Sequence, residues 1–281
     1  MKSFMDKFSI EGKVCVITGG AGLLGKRHAQ AILTGGGIPA LIDISDERLS
    51  LAKQEITASM EDATQSDIGT YAVDITDKEA VINLRDLLLR RYGHIDILIN
   101  NAANNPKMEG NSRNMAAIRF HDFPLEIWNA DISVGLTGAF LCSQTFGKVM
   151  EDGGGGVILN ISSDYGLISP DQRVYRRDGV EEDAQIVKPI SYSVVKRAII
   201  GMTKYLATYW AKQGIRVNTL CPASLFNGQD IEFVKKISEL IPMGRMSDPD
   251  EYICTVLYMI SDASSYMTGS AVIVDGGRTS W

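Results

Sequence analysis

The sequence has few of the residues that build metal sites or disulfide frameworks. Its four cysteines lie far apart and form no Cys-x-x-Cys spacing, so the cysteine pattern predicts neither kind of site. The three histidines are equally scattered. Basic residues are outnumbered, with 28 Lys and Arg against 34 Asp and Glu and a net charge of −6. A negative overall field disfavours non-specific binding to nucleic acids or anionic membranes.

Long hydrophobic runs are also missing. No stretch approaches the roughly 18 uninterrupted apolar residues of a membrane span. The first residues include the charged Asp6 and Lys7, which is not the pattern of a signal peptide. We therefore expect a cytoplasmic protein that acts on a small molecule, with no metal ion and with no nucleic-acid or membrane partner.

Seven short apolar runs alternate with helical patterns over 281 residues. Nearly continuous apolar strands that alternate with helices predict a parallel, doubly wound α/β sheet with helices on both faces. The pattern predicts strands at residues 14–18, 39–43, 70–73, 95–100, 157–161, 215–220 and 271–274. It predicts helices at residues 45–60, 77–92, 126–150, 192–212 and 248–261 and after the first strand, the helix at 126–150 being weakened near Gly135 and Gly138.

The chain reads as a single Rossmann-like domain, residues 1–281, because no linker or repeat divides it. Residues 11–103 form mainly the nucleotide-binding half. Residues 104–124 and 165–189 are long for connections in such a sheet, and long loops are usually functional or disordered. We expect substrate specificity in these two segments and in 225–245.

Glycines follow the first strand and open a helix, at Gly19, Gly22 and Gly25. Backbone N–H groups and the helix dipole at that position favour a pyrophosphate. Asp43 ends the second predicted strand, where a carboxylate accepts hydrogen bonds from a ribose and repels a 2′-phosphate. NAD is therefore favoured over NADP, although Lys26 and Arg27 are cations near the same loop.

Tyr192 and Lys196 are one helical turn apart, so both side chains leave a helix on the same face. An ammonium beside a phenol favours the phenolate, which makes the tyrosine a usable acid-base group. Alone, the spacing also fits a solvated lysine beside a half-buried tyrosine.

Several motifs, in order, resemble the short-chain dehydrogenase/reductase superfamily over essentially the whole chain, in its compact single-domain branch. They are the glycine loop 18–25, Asp74-Ile75, Asn100-Asn101-Ala102-Ala103, Asn160-Ile161-Ser162-Ser163, the Tyr192 to Lys196 pair, and Arg216-Val217-Asn218 with Pro222-Ala223. The resemblance implies a seven-stranded Rossmann-type sheet, a nicotinamide cofactor, and a homo-oligomer that is a tetramer or a dimer.

The resemblance also implies residue roles. Tyr192 is the acid-base group, Lys196 lowers its pKa and holds the nicotinamide ribose, and Ser163, rather than Ser162, stabilises the substrate oxygen. The residues implied to bind the cofactor are Gly19, Gly22, Leu24, Gly25, Asp43, Asp74, Ile75, Asn101, Ala102, Tyr192, Lys196, Pro222 and Leu225.

Some positions depart from the family pattern. Gly135 replaces an asparagine whose backbone carbonyl binds a relay water in the family. Because glycine keeps that carbonyl, we hypothesise that the relay survives and that restoring asparagine changes turnover only modestly. Gly22 gives a Gly-x-x-Gly-x-x-Gly spacing similar to that of sugar-nucleotide epimerases.

Ser163 and Tyr192 lie 29 positions apart, against about a dozen in typical members. The additional segment contains Arg173, Arg176 and Arg177. It is either a solvated charged loop or a lid whose arginines hold a phosphate or carboxylate. Residues 225–229 and the ending 275–281 resemble a subgroup linked to sugar or flagellin-glycan modification.

Three functions remain open at this stage. The leading one is an NAD-dependent oxidoreductase for a secondary alcohol or ketone, on a sugar-like or polyol substrate. The second is a sugar-nucleotide epimerase or dehydratase with bound NAD. The third is a catalytically silent NAD-binding regulator.

Overall fold

One sheet of seven parallel strands organises the protein, with the order β3-β2-β1-β4-β5-β6-β7. The computed structural model describes residues 4–60, 67–104 and 119–281. Most of the segment 104–124, a predicted substrate loop, lies outside these residues. The strands are β1 Val14–Thr18, β2 Ile38–Asp43, β3 Gly69–Ala72, β4 Ile97–Asn100, β5 Gly156–Ile161, β6 Ile215–Pro222 and β7 Ala271–Val274. The predicted doubly wound sheet is confirmed.

The helices follow the strands in alternation. They are α1 Leu23–Thr34, α2 Asp46–Ser59, α3 Lys78–Tyr92, α4 Leu125–Ile132, α5 Ala139–Asp152, α6 Ile190–Tyr209, α7 Ile231–Ser238 and α8 Ile253–Ile260. Ser45 caps α2, since its hydroxyl accepts a hydrogen bond from the Arg48 N–H at 3.3 Å. Within the described part of the chain, no helix is both long and apolar enough to cross a membrane.

The strands are buried on both faces because alternate side chains point to opposite sides of the sheet. Cys15 and Ile17 pack in one core with α1, α2 and α8. Val16, between them, packs in the second core with α3, α5 and α6. This arrangement explains why the strands read as continuous apolar runs.

The predicted long helix at 126–150 is interrupted. A π-helical turn, Ser133–Gly138, joins α4 to α5. Short π-helical segments within α-helices often mark functional sites. The sequence predicted a weakened helix near Gly135 and Gly138, and at these residues the structure changes from α-helix to π-helix without a break in the helix.

The segment 225–245 contains a helix, α7, which the sequence did not predict. Val174 of the insertion 165–189 forms a small core with Ile237, Ile241 and Met246. The Tyr175 ring lies 5.6 Å from the Phe233 ring, measured between centroids. The insertion and α7 thus form one packed wall beside the carboxyl ends of the strands.

Candidate active site

A cleft of about 820 Å³ lies at the carboxyl ends of the central strands. Ligands bind at this position in open α/β sheets, where the strand order reverses. Thirteen of the site residues predicted from the sequence line it, including all three predicted catalytic residues. Those predicted from the sequence are Gly19, Gly22, Leu24, Asp43, Asp74, Ile75, Asn101, Ala102, Ser163, Tyr192, Lys196, Pro222 and Leu225.

The glycine loop leaves room for a dinucleotide. Gly19 has a φ of +63°, a conformation that favours glycine. A Cβ at Gly22, which caps α1, would lie 3.1 Å from the Gly19 carbonyl oxygen. Gly25 is not in the cleft lining, and a Cβ there would lie within 2.3 Å of the same oxygen. Gly25 therefore serves the close packing of α1 on the loop, and the N-terminus of α1 stays open to a pyrophosphate.

Asn101 holds the ends of β1 and β4 together. Its Nδ2 donates to the carbonyl oxygens of Thr18 and Gly19, both at 3.0 Å. The Thr18 hydroxyl accepts hydrogen bonds from the N–H groups of Asn101 and Ala102, both at 3.0 Å. These bonds fix the glycine loop against the strand that carries the Asn-Asn-Ala motif.

The cleft contains a buried carboxylate at the end of β2, Asp43, which is 7% exposed. Arg48 also lines the cleft and lies 3.4 Å from Asp43; the sequence analysis missed this residue. Lys26 pairs with Glu55, and Arg27 pairs with Asp250. Neither of these two cations lines the cleft.

Ser163 lies at the start of a short turn after β5, and its hydroxyl donates to the Asp164 carboxylate at 2.6 Å. Asp164 is 3% exposed and also accepts from the Tyr165 N–H at 2.9 Å. Burial raises its pKa, against the opposing effect of these hydrogen bonds. Ser162 is engaged elsewhere, because its hydroxyl donates to the Lys196 carbonyl oxygen at 2.7 Å. Asp164 is a site residue that the sequence analysis did not identify.

Tyr192 and Lys196 share one face of α6, as their spacing predicted. The Lys196 ammonium lies 5.7 Å from the centroid of the Tyr192 ring and donates to the Ile161 carbonyl oxygen at 2.9 Å. Burial raises the pKa of Tyr192 to about 12, although the hydrogen bond with Ser163 lowers it. The spacing predicted that the ammonium would favour the phenolate. In the protein alone desolvation dominates, and it also lowers the pKa of Lys196 to about 8.

The three arginines of the insertion do not reach the cleft. Arg173 pairs with Asp171, and its side chain is 82% exposed. Arg176 pairs with Glu182, and Arg177 is exposed. None of the three lines the cleft, so the structure does not support the predicted arginine clamp. Acidic residues close by in the sequence hold two of these guanidinium groups in local ion pairs.

Gly135 faces α6 from the π-helical turn. A Cβ at this position would lie 2.6 Å from Cγ1 of Val195, which is 5% exposed. The expectation that asparagine would be accepted here at little cost is therefore revised, because Val195 occupies the space of its Cβ. Gly138, three positions further along the same turn, similarly leaves room for Ile75. A Cβ added at Gly138 would lie 2.7 Å from the Ile75 Cδ1 atom.

Comparisons with known proteins agree with this geometry. Residues 13–175 match the family model described as short chain dehydrogenase, and residues 180–279 match a model described as enoyl-(acyl carrier protein) reductase. An NAD-dependent glycerol dehydrogenase of Listeria innocua is 33% identical over 99% of this chain and 98% of its own. A D-threitol dehydrogenase of Mycolicibacterium smegmatis is 30% identical over 97% and 95%, respectively.

Solved structures give the same result. A short-chain type dehydrogenase/reductase from Mycobacterium marinum superimposes with a TM-score of 0.82 and 29% identity, over 99% of each chain. The fold and the cleft define a Rossmann-type oxidoreductase that works with a nicotinamide cofactor on an alcohol or a ketone. Within that class, the chain belongs to the short-chain dehydrogenase/reductase family.

Proposed function

We propose that this protein is an NAD-dependent dehydrogenase that interconverts a secondary alcohol and a ketone on a sugar-like or polyol substrate. One observation carries the proposal: Ser163, Tyr192 and Lys196 converge in the same cleft as the open glycine loop. The glycerol and threitol dehydrogenases among the relatives support a polyol. Among the residues that the structure describes, no feature favours the epimerase or the silent regulator over this function.

The proposed preference for NAD rests on Asp43. Its buried carboxylate is directed to the cleft, where it accepts hydrogen bonds from a ribose and repels a 2′-phosphate. Arg48 is the opposing group, because its guanidinium could attract a phosphate. Its ion pair with Asp43 moderates that attraction.

The proposed chemistry assigns one task to each catalytic side chain. A bound nicotinamide ring supplies the hydride acceptor or donor. Tyr192 holds the proton that leaves or joins the substrate oxygen. The Ser163 hydroxyl turns from Asp164 to donate to that same oxygen. Lys196 is held at the floor of the cleft by the Ile161 carbonyl oxygen, so its charge stays close to the phenol.

The part of the cleft next to Tyr192 has the aromatic surface that a sugar-like molecule can pack against. Tyr165, Tyr175 and Phe233 line it with aromatic surface, and ligand sites typically combine such surface with a few convergent polar groups.

We also propose that residues 1–281 act as one domain and assemble as a dimer or tetramer. The stacked Tyr205 and Tyr209, which are 67% and 59% exposed, offer an apolar face for assembly, and light scattering will measure the mass.

The test is NADH formation from glycerol, threitol and xylitol by the purified protein. We expect activity that rises with pH, because alcohol oxidation needs the deprotonated form of Tyr192 and its pKa is raised to about 12. Tyr192→Phe should lose about a hundredfold or more of kcat. Tyr266→Phe, at a fully exposed position, is the matched control. Unchanged turnover in Tyr192→Phe would remove the proposed acid-base role.

A further inference from the structure

A second ammonium group lies beside the catalytic tyrosine. Lys188 lines the cleft, and its Nζ is 3.9 Å from the centroid of the Tyr192 ring. Lys196 approaches the same ring at 5.7 Å. Two lysines thus flank one phenol, and the family motif accounts for only the second of them.

The insertion is built to hold Lys188 in this position. The Lys188 N–H donates to Gln172 Oε1 at 2.8 Å, and Gln172 Nε2 donates to the Lys188 carbonyl oxygen at 3.4 Å. Gln185, which is 6% exposed, exchanges two hydrogen bonds of 2.9 Å with the Arg177 backbone and donates to the Val180 carbonyl oxygen at 2.7 Å. Lys188 is therefore placed by a hydrogen-bonded loop, unlike a solvated surface lysine.

Around Tyr192, the described residues place two ammonium groups and two carboxylates, and both carboxylates are already engaged by hydrogen-bond donors. Among the residues that the structure describes, the charged ones that line this end of the cleft are Lys188, Lys196 and Asp164. Asp164 already accepts hydrogen bonds from Ser163 and from a backbone N–H. Asp131 is a neighbouring carboxylate outside the lining, and it accepts hydrogen bonds from Asn104 and Ser191.

The two lysines also experience each other's charge. Burial lowers the pKa of Lys188 to about 8, against the opposing effect of the Asp164 and Asp131 charges, and the charge of Lys188 contributes to the lowered pKa of Lys196. An anionic oxygen placed beside Lys188 would offset both the desolvation and the repulsion. A neutral hydroxyl would offset much less.

We propose that Lys188 binds an anionic oxygen of the substrate, from a carboxylate or a phosphate, close to the carbon on which Tyr192 acts. The substrate is then an acidic sugar-like alcohol or ketone. This inference rests on the proposed function and deepens it, since it names the substrate class of the same site. Lys188 takes the role that the sequence analysis assigned to Arg173, Arg176 and Arg177.

The experiment measures binding to the protein–NADH complex by NADH fluorescence. Two matched pairs of probes differ only in one acidic group: threonate with threitol, and glycerol 3-phosphate with glycerol. We expect at least one anion to bind about tenfold or more tightly than its neutral partner, the size of one charge-assisted hydrogen bond. The pair that shows the preference identifies the acidic group.

Lys188→Gln should abolish that preference, leave the neutral probe within about twofold, and be rescued by Lys188→Arg. Lys212→Gln, which removes the same charge from an exposed site, should keep the preference. Lys188→Met replaces Lys188→Gln if the latter no longer binds NADH. No anion preference in the native protein, a preference that survives the loss of Lys188, or an equal loss for the neutral probe would each overturn the proposal. Turnover of neutral polyols tests the proposed function separately.

Discussion

Adding one methyl group at Gly135 tests how closely the π-helical turn packs on the catalytic helix. The added Cβ would lie 2.6 Å from Val195 Cγ1, whereas carbon atoms in favourable contact are about 3.5–4.0 Å apart. A valine in a helix has one strongly preferred χ1 rotamer, so its methyl group cannot rotate away freely. Either α6 or the turn must shift, and α6 carries Tyr192 and Lys196 on either side of Val195.

The expected magnitude follows from two opposing effects. Overpacking a core by one group costs about 1–3 kcal/mol. Replacing glycine by alanine in a helix gains up to about 1 kcal/mol. Gly135→Ala should therefore lower the free energy of unfolding by about 0–3 kcal/mol. Gly201→Ala is the matched control, because a Cβ there meets no atom within 4 Å, and it should be neutral or stabilising.

Urea denaturation and NADH-linked turnover measure the outcome. Gly135→Ala should lose turnover as well as stability, and its cost should shrink in a Val195→Ala background, where the space is free. Asparagine at position 135 should behave in the same way, active with Val195→Ala and impaired without it. The reasoning is refuted if Gly135→Ala and Gly201→Ala have equal stabilities, or if the Val195 background makes no difference.

Two further predictions concern the cofactor and the stability of the fold. Asp43→Ser leaves Arg48 without its carboxylate partner, so the ratio of kcat/KM for NADP to that for NAD should rise about tenfold or more; an unchanged ratio would contradict the role of Asp43. His28 is fully buried, and burial lowers its pKa to about 4. Its contribution to stability is then fully present above about pH 6.5 and is lost as the pH falls toward 4, because only the unfolded chain takes up the proton. The fall in melting temperature between about pH 7.5 and pH 5 should be smaller in His28→Leu than in the native protein; equal falls would refute this.

The sheet and the cofactor half of the cleft follow closely from local sequence. The apolar runs are short, β-branched and separated by helical patterns, so each strand was predicted within a few residues. Gly135 and Gly138 indicated where the long predicted helix is interrupted. Gly25 was expected to bind the cofactor, but its lack of a side chain serves packing, which the glycine spacing alone does not reveal.

The substrate half depends on contacts between distant segments, and sequence patterns do not report these. Lys188 looks like any solvated lysine in a charged loop, and contacts with Gln172 and the Tyr192 ring, distant in the sequence, help to position it. Helix α7 is short, and its apolar side faces Val174 of the insertion.

The contact between Val174 and Ile237 has a consequence for how this enzyme can diverge or be engineered. One side of the substrate chamber is shared by two stretches that are distant in the chain, 165–189 and 225–245, and each is the other's support. Exchanging either stretch alone with that of a relative would leave the graft without its apolar partner. Exchanging both stretches together is the smallest replacement that keeps their apolar contact. Changes of substrate specificity should therefore involve substitutions in both stretches at once.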